Sequence, residues 1–300
     1  MIMLLKWFIW KAVPIKINKY ILRLGGDNLK RIIAVNSNTY HGFSLAEAIK
    51  GIKAAGFNYI ELTATKGWTE HVFPTMSLRE LYEIRDQLIE AGITPISLSG
   101  HTNLMDNDRL DDFIANIRLA HFFGCKYIIS SIGEAHLEDQ AEASDQEVAA
   151  NIKNLIPYLE DYNLILGLEN HGKHGTGKRL KDIVDLIDSE RVVVNYDTAN
   201  AIFYGGEDLD LEADLKTAVE KIGHVHLKDK AGAQAEWNFP ALGKGKIDFE
   251  PLFELLKEND NDSPFSIEIE FEEDGPSDLE EVNQAVKDSY NFLKESGFEI

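Results

Sequence analysis

VVVNYD (192–197) is the run whose reading decides the fold. β-Branched residues favour the pleated chain, and a run this apolar, without alternation, suits a strand covered on both faces. It stands between GKRLKDIVDLIDSE (177–190) and LEADLKTAVEKIG (211–223), whose apolar residues recur at helical spacing. Working outward, the same unit repeats. Strand candidates are IIAVNS (32–37), YIELTA (59–64), TPISLS (94–99), YIISSI (127–132), LILGLE (164–169), HVHLKD (224–229) and FSIEIE (265–270). Between them lie helical segments: SLAEAIKGIKAAG (44–56), SLRELYEIRDQLIEAG (77–92), DRLDDFIANIRLAHFFG (108–124), DQEVAANIKNLIPYLEDY (145–162), DFEPLFELLKEND (248–260) and DLEEVNQAVKDSYNFLKESG (278–297). Ser44 with Glu47 and Ser77 with Glu80 form capping boxes, and Gly56, Gly92, Gly124 and Gly297 stand where helices stop. Eight strand–helix pairs predict the α/β class and a closed (β/α)₈ TIM barrel, with its active site at the C-terminal strand ends. A doubly wound sheet is the alternative, but VNSNTYHG (35–42) follows the first strand where a G-x-G-x-x-G turn belongs.

The barrel reading takes residues 31–300 and leaves 1–30 as a short N-terminal extension. Its apolar start is interrupted by Lys6 and Lys11, too short for a bilayer span of about 20 residues. It also lacks the basic start and small-residue cleavage site of a signal peptide, and reads as an upstream start codon's addition or a peripheral appendage. Fifty-one acidic residues against 30 basic ones give a net charge of −21, which repels phosphate backbones, so nucleic acid is not an expected partner, and neither is a membrane. The single cysteine, Cys125, cannot pair internally and reads as a small buried residue ahead of a strand. A cytoplasmic protein is expected, with a homo-oligomer left open.

The last four strands end in metal-type ligands: Glu169, Asp197, His226 and Glu268. Each alone has a bland reading as an ion-pair partner or helix cap. Together, on successive strands whose apolar surroundings make an unpaired charge costly, they imply a compensating cation. Hard oxygens with one imidazole suit Mn²⁺, Mg²⁺, Co²⁺ or Zn²⁺.

L-E-N-H (168–171), Y-D-T-A-N (196–200), H-V-H-L-K-D (224–229), L-G-K-G-K-I-D-F (242–249) and S-P-F-S-I-E-I-E (263–270), in this order, resemble the xylose isomerase-like superfamily of sugar-phosphate isomerase and epimerase barrels. The resemblance covers the chain from about Arg31 onward and implies one divalent cation held by Glu169, Asp197, His226 and Glu268, with His224 structural. It further implies proton transfer beside a carbonyl through a metal-stabilised enediolate, with Glu169 and Glu268 as the acid/base pair and a small sugar, keto-sugar or sugar phosphate as substrate. Glu268 and Glu270 share a strand face, and either reaches the site. Glu270, Glu272 and Glu273 equally read as a solvated acidic run.

Two positions depart from the ketose 3-epimerase pattern. Asn200 stands where those enzymes carry a histidine, and Gly232 where they carry a substrate arginine. A metal-dependent lyase or dehydratase on a keto-sugar or keto-inositol is therefore the alternative, ahead of an abasic-site endonuclease or a non-catalytic sugar-binding barrel. His101, His171, Asn200, Lys228 and Trp237 are the candidate substrate contacts. Lys228 suits an anionic or sugar oxygen, or else an ion pair with Asp229 or a neighbouring carboxylate. The long loop 228–246 with Trp237 and Phe239 reads as a lid or binding segment, or as aromatics packing the loop down. The glycine-rich, basic HGKHGTGK (171–178) is a weak anion-cradle candidate.

Overall fold

The computed structural model describes residues 29–133 and 142–300 of the 300-residue chain. Eight parallel strands close into a barrel: β1 (Ile33–Asn36), β2 (Tyr59–Thr63), β3 (Thr94–Ser99), β4 (Tyr127–Ser131), β5 (Ile165–Glu169), β6 (Val192–Asp197), β7 (Ile222–Leu227) and β8 (Phe265–Ile267). Each pairs with its sequence neighbour, and β8 closes the ring onto β1. Helices alternate with the strands: α1 (Leu45–Ala55), α2 (Leu78–Ala91), α3 (Leu110–Phe122), α4 (Asp145–Lys153), α5 (Ile156–Asp161), α6 (Gly177–Ile187), α7 (Thr198–Gly205), α8 (Leu211–Ala218), α9 (Glu250–Glu258) and α10 (Leu279–Glu295). The capping boxes at Ser44 and Ser77 are both formed, and a third, at Ser144 with Glu147, starts α4. Gly56 and Gly92 end α1 and α2 in the left-handed conformation. Cys125 is buried and unpaired, as expected.

Three boundaries differ from the sequence reading. The segment 145–162 is two helices rather than one, because Pro157 has no N–H to continue the ladder across Asn154–Leu155. The seventh strand begins two residues early, at Ile222, and stops at Leu227: Ile222, assigned by periodicity to the preceding helix, pairs with Val194 of β6. The eighth strand ends at Ile267, so Glu268 follows it. Helix α7 went unread: it is a short apolar helix of about two turns directly after β6, capped by Asp197 itself, whose side chain accepts from Asn200 N at 2.8 Å.

Residues 1–28 of the expected extension lie outside the described residues; Leu29–Lys30 pair in parallel with Phe298–Glu299 after α10. Among the described residues no helix is long and apolar enough to cross a membrane.

Candidate metal centre

Because β5, β6, β7 and β8 are adjacent in the ring, their C-terminal ends bring Glu169, Asp197, His226 and Glu268 to one point. Each offers one ligand atom, and all four atoms lie within 4.8 Å of one another. His226 Nδ1 faces Glu169 Oε2 at 3.1 Å, Glu268 Oε2 at 3.6 Å and Asp197 Oδ2 at 3.9 Å. Asp197 Oδ2 and His226 Nδ1 are fully buried and make no hydrogen bond, a costly state for polar atoms. A six-coordinate cation with bonds of about 2.1 Å holds opposite donors about 4.2 Å apart, so this set fits one after a small contraction. The four residues that the sequence marks therefore converge, and their donor chemistry suits a hard divalent ion.

The charges respond to their crowding. Burial, with the Glu169 and Glu268 carboxylates, pushes the Asp197 carboxyl up to about 8 against the pull of Lys228. Burial would raise Glu169 too, but His226 and His101 outweigh it and hold that carboxyl far below its usual range. Burial disfavours a charge on His226, yet Glu61 and Glu169 raise its imidazole well above its ordinary value. The cavity thus attracts positive charge.

Neutral groups fix the carboxylates. Asn200 Nδ2 donates to Glu169 Oε1 at 3.0 Å, and Asn195 Nδ2 to Glu169 Oε2 at 3.3 Å. Asn36 Nδ2 donates to Glu268 Oε1 at 2.9 Å; Asn38 Nδ2 is shared between that oxygen, at 3.2 Å, and Glu270 Oε1, at 3.1 Å. Asn200 thus touches a candidate ligand and also lines the chamber. His224 stays on the structural side of its reading: its Nδ1 is 2.8 Å from Asn195 Oδ1, which turns the Asn195 amide N–H toward Glu169, and burial lowers its own value to about 4.

The remaining sequence candidates line the chamber above. Ser131 N donates to His101 Nδ1 at 3.0 Å, leaving Nε2 as the protonated nitrogen, 3.7 Å from Glu169 Oε2. His171 Nε2 meets Tyr204 Oη at 2.9 Å, and burial lowers its imidazole to about 4. Lys228 is buried and does not pair with Asp229. Its Nζ contacts Glu270 closely and lies 3.3 Å from Glu268 Oε2 and 3.9 Å from Asp197 Oδ2. Burial opposes its charge, but those carboxylates raise it well above its ordinary value. Of the two readings open for Glu270, it takes the site-facing one: only 9% of its side chain is exposed, it is bound to Lys228 and Asn38, and it faces the chamber, whereas Glu272 and Glu273 are exposed.

The 228–246 loop folds over the chamber. Trp237 lines its mouth and packs edge-on against Phe239, at 5.0 Å, and Phe203, at 6.0 Å. Phe239 is buried and ties the loop down. Asp229 stitches the loop from inside, accepting backbone N–H bonds from Lys230, Gly243, Gly245 and Ile247 at 2.8–3.2 Å. A Cβ at Gly245 would sit 2.2 Å from Asp229 Oδ1, so only glycine allows that approach. HGKHGTGK cradles no anion-binding loop of that kind: Asp214 accepts Gly177 N and Lys178 N at 2.7 and 3.1 Å, so a carboxylate already fills the amide pocket.

The sequence reading missed several groups. Trp68 stacks on His41 with ring centroids 4.1 Å apart and donates Nε1 to Asn38 Oδ1 at 3.0 Å, opposite Trp237 at the mouth. Together they bound a vestibule of about 570 Å³, within the roughly 300–1,000 Å³ range of small-molecule sites. Glu61, at the middle of β2, is fully buried beneath the four donors. Its sequence signal is plain in hindsight: it is the one charged residue in the apolar run YIELT. The register shifts of β2 against β3 at Ile60/Glu61 and of β6 against β7 at Val194/Asn195 re-aim these two buried polar side chains, as bulges near sites do.

Comparison with known proteins agrees with the barrel fold. An inosose dehydratase of Clostridium botulinum (strain Eklund 17B / Type B) is 26% identical over 218 residues, 61% of this chain and 69% of that protein. The fold matches the crystal structure of a D-psicose 3-epimerase in the presence of D-fructose, with a TM-score of 0.70 at 14% identity over 89% of this chain and 99% of that one. It matches equally the IolI protein with a bound zinc atom, with a TM-score of 0.70 at 19% identity over 90% and 100%. The sequence model of the xylose isomerase-like TIM barrel matches residues 49–296, and the chain belongs to that family.

Proposed function

We propose that this protein is a divalent-metal-dependent enzyme that transfers a proton on the carbon beside a carbonyl of a small keto-sugar or sugar phosphate, as an isomerase or epimerase. The observation that carries the reading is the pair of buried, unbonded donor atoms, Asp197 Oδ2 and His226 Nδ1, facing Glu169 and Glu268. When bound, the cation would supply Lewis-acid polarisation of the substrate carbonyl and stabilise the negative charge growing on its oxygen. Glu169 and Glu268 come from strands three apart in the ring, and in this reading one carboxylate removes the proton and the other returns it. His101 Nε2 and Lys228 Nζ are the proton-bearing groups beside them and are assigned to substrate oxygens; Asn200 holds Glu169 in place. Trp237 shields the reacting atoms from water.

The dehydratase relative favours a second reading, in which the same proton removal is followed by loss of a β-hydroxyl as water. Both readings share one test. Purified protein with Mn²⁺, Co²⁺ or Zn²⁺ should exchange the hydrogen beside the carbonyl of a panel of keto-sugars, keto-inositols and sugar phosphates with D₂O, and chelator should abolish it. Product of unchanged formula identifies the isomerase or epimerase, and loss of water the dehydratase. Absence of exchange across the panel, with cleavage of abasic DNA, overturns both.

A further inference from the structure

Below the four converging donors lies a second, fully enclosed polar group. Glu61 Oε1 is 2.8 Å from His226 Nε2, and Glu61 Oε2 accepts from Ser97 Oγ at 2.5 Å; all three residues are without solvent exposure. With Ser97 Oγ donating to Oε2 and an imidazole nitrogen against Oε1, the Glu61 carboxylate is an acceptor only. His226 Nε2 must then carry the proton in that bond. In a neutral imidazole this leaves the lone pair on Nδ1, the nitrogen that faces Glu169, Asp197 and Glu268. The opposite tautomer would set two lone pairs against each other at Nε2 and point an N–H at the place where a cation belongs.

We propose that Glu61 is a positioning residue that fixes the His226 tautomer and ring plane so that Nδ1 is the metal-donating atom, an inference that rests on the cation reading above. A carboxylate behind a ligating imidazole also strengthens it as a donor, and removing such a partner typically weakens metal binding roughly 10- to 100-fold. Glu61 enters no contact with the vestibule, and nothing in its role requires it to touch substrate.

The test uses the full chain and two substitutions. Glu61→Leu removes both acceptor and charge; Glu61→Gln keeps an amide oxygen able to accept from Nε2–H and has His224 Nε2 and Ser97 Oγ as partners for its N–H₂. Zn²⁺ affinity, measured by competition with a chromophoric chelator, should fall roughly 10- to 100-fold in the leucine variant and substantially less in the glutamine variant. ¹⁵N spectra of the Cd²⁺-loaded wild type should show coupling of the metal to Nδ1 of His226 and a proton on Nε2. If the leucine variant does not fold, the wild-type ¹⁵N assignment and the glutamine affinity decide. Metal on Nε2, or wild-type affinity in every folded variant, overturns the proposal alone. Two ions per wild-type chain, one lost with Glu61, would make Glu61 a ligand and overturn it as well. A wild type that takes up no cation overturns the cation reading and this inference together.

Discussion

The two halves of the barrel do different chemical work. The C-terminal ends of β5 to β8 carry Glu169, Asp197, His226 and Glu268, three acids and a histidine, while those of β1 to β4 contribute neutral groups: Asn36 and Asn38, Thr63, Ser99 with His101, and Ser131, whose backbone N–H bonds His101. One half concentrates charge; the other lends Asn36 and Asn38 to hold Glu268, while Glu169 is held by Asn195 and Asn200 from the charged half itself. The exception is Glu61, an acid on the neutral side, and it faces the histidine rather than the converging oxygens. The division makes sense physically: carboxylates that share a small cavity repel one another, and amide donors aimed at their outer oxygens keep each in one rotamer without adding charge to the cavity.

If the division is real, the charged half should fail hardest. Replacing Asp197 with alanine should lower metal content after dialysis by well over the roughly 100-fold seen at the upper end for supporting residues, as read by elemental analysis. Asp197→Asn keeps the α7 cap and separates lost binding from lost folding. Wild-type metal content in the alanine variant would remove Asp197 from the donor set. Next in size, Glu268→Gln should cut the rate of solvent-deuterium exchange by at least roughly 10²-fold. Glu270→Gln should cost only a few-fold, since Glu270 meets Lys228 and Asn38 and not His226. The reverse ranking would move the proton carrier two residues along. The smallest effect belongs to a neutral group that only holds a carboxylate: Asn200→Ala removes one amide bond to Glu169 and should weaken metal binding roughly 10-fold with the fold intact, measured by the same competition assay. A loss as large as that of Asp197→Ala would erase the distinction between holding charge and supplying it.

The same division governs what could be read in the sequence. An acid or histidine at the end of an apolar run stands out because its burial demands a partner, and all four converging residues were visible that way. Asn36, Asn38, Thr63 and Ser99 carry no such demand: a neutral polar residue at a strand end is unremarkable until the tertiary structure shows whose oxygen it faces. Glu61 had the demand but not the position, lying mid-strand where no site was sought. Lys228 reads as a substrate contact or an ion-pair partner and Glu270 as a site residue or part of a solvated run, and only the closing of β8 beside β7 shows that the two pair with each other. Helix boundaries marked by caps were legible, whereas the start of β7 was not, since Ile222 and Gly223 continue the preceding helical period as well as they begin a strand.

Asp229 gathers four amides from the two roots of the loop that follows β7, and so turns that loop into a closed ring fastened at a single clasp. The circumference of such a ring is cheap to alter, each doubling of a flexible loop costing only about 0.6 kcal/mol. Lengthening or shortening the span between Ala231 and Leu242 would therefore carry Trp237 toward or away from the vestibule while the clasp keeps Lys228 where it is. In this barrel, substrate size and reaction chemistry are placed on opposite sides of one carboxylate, free to change separately.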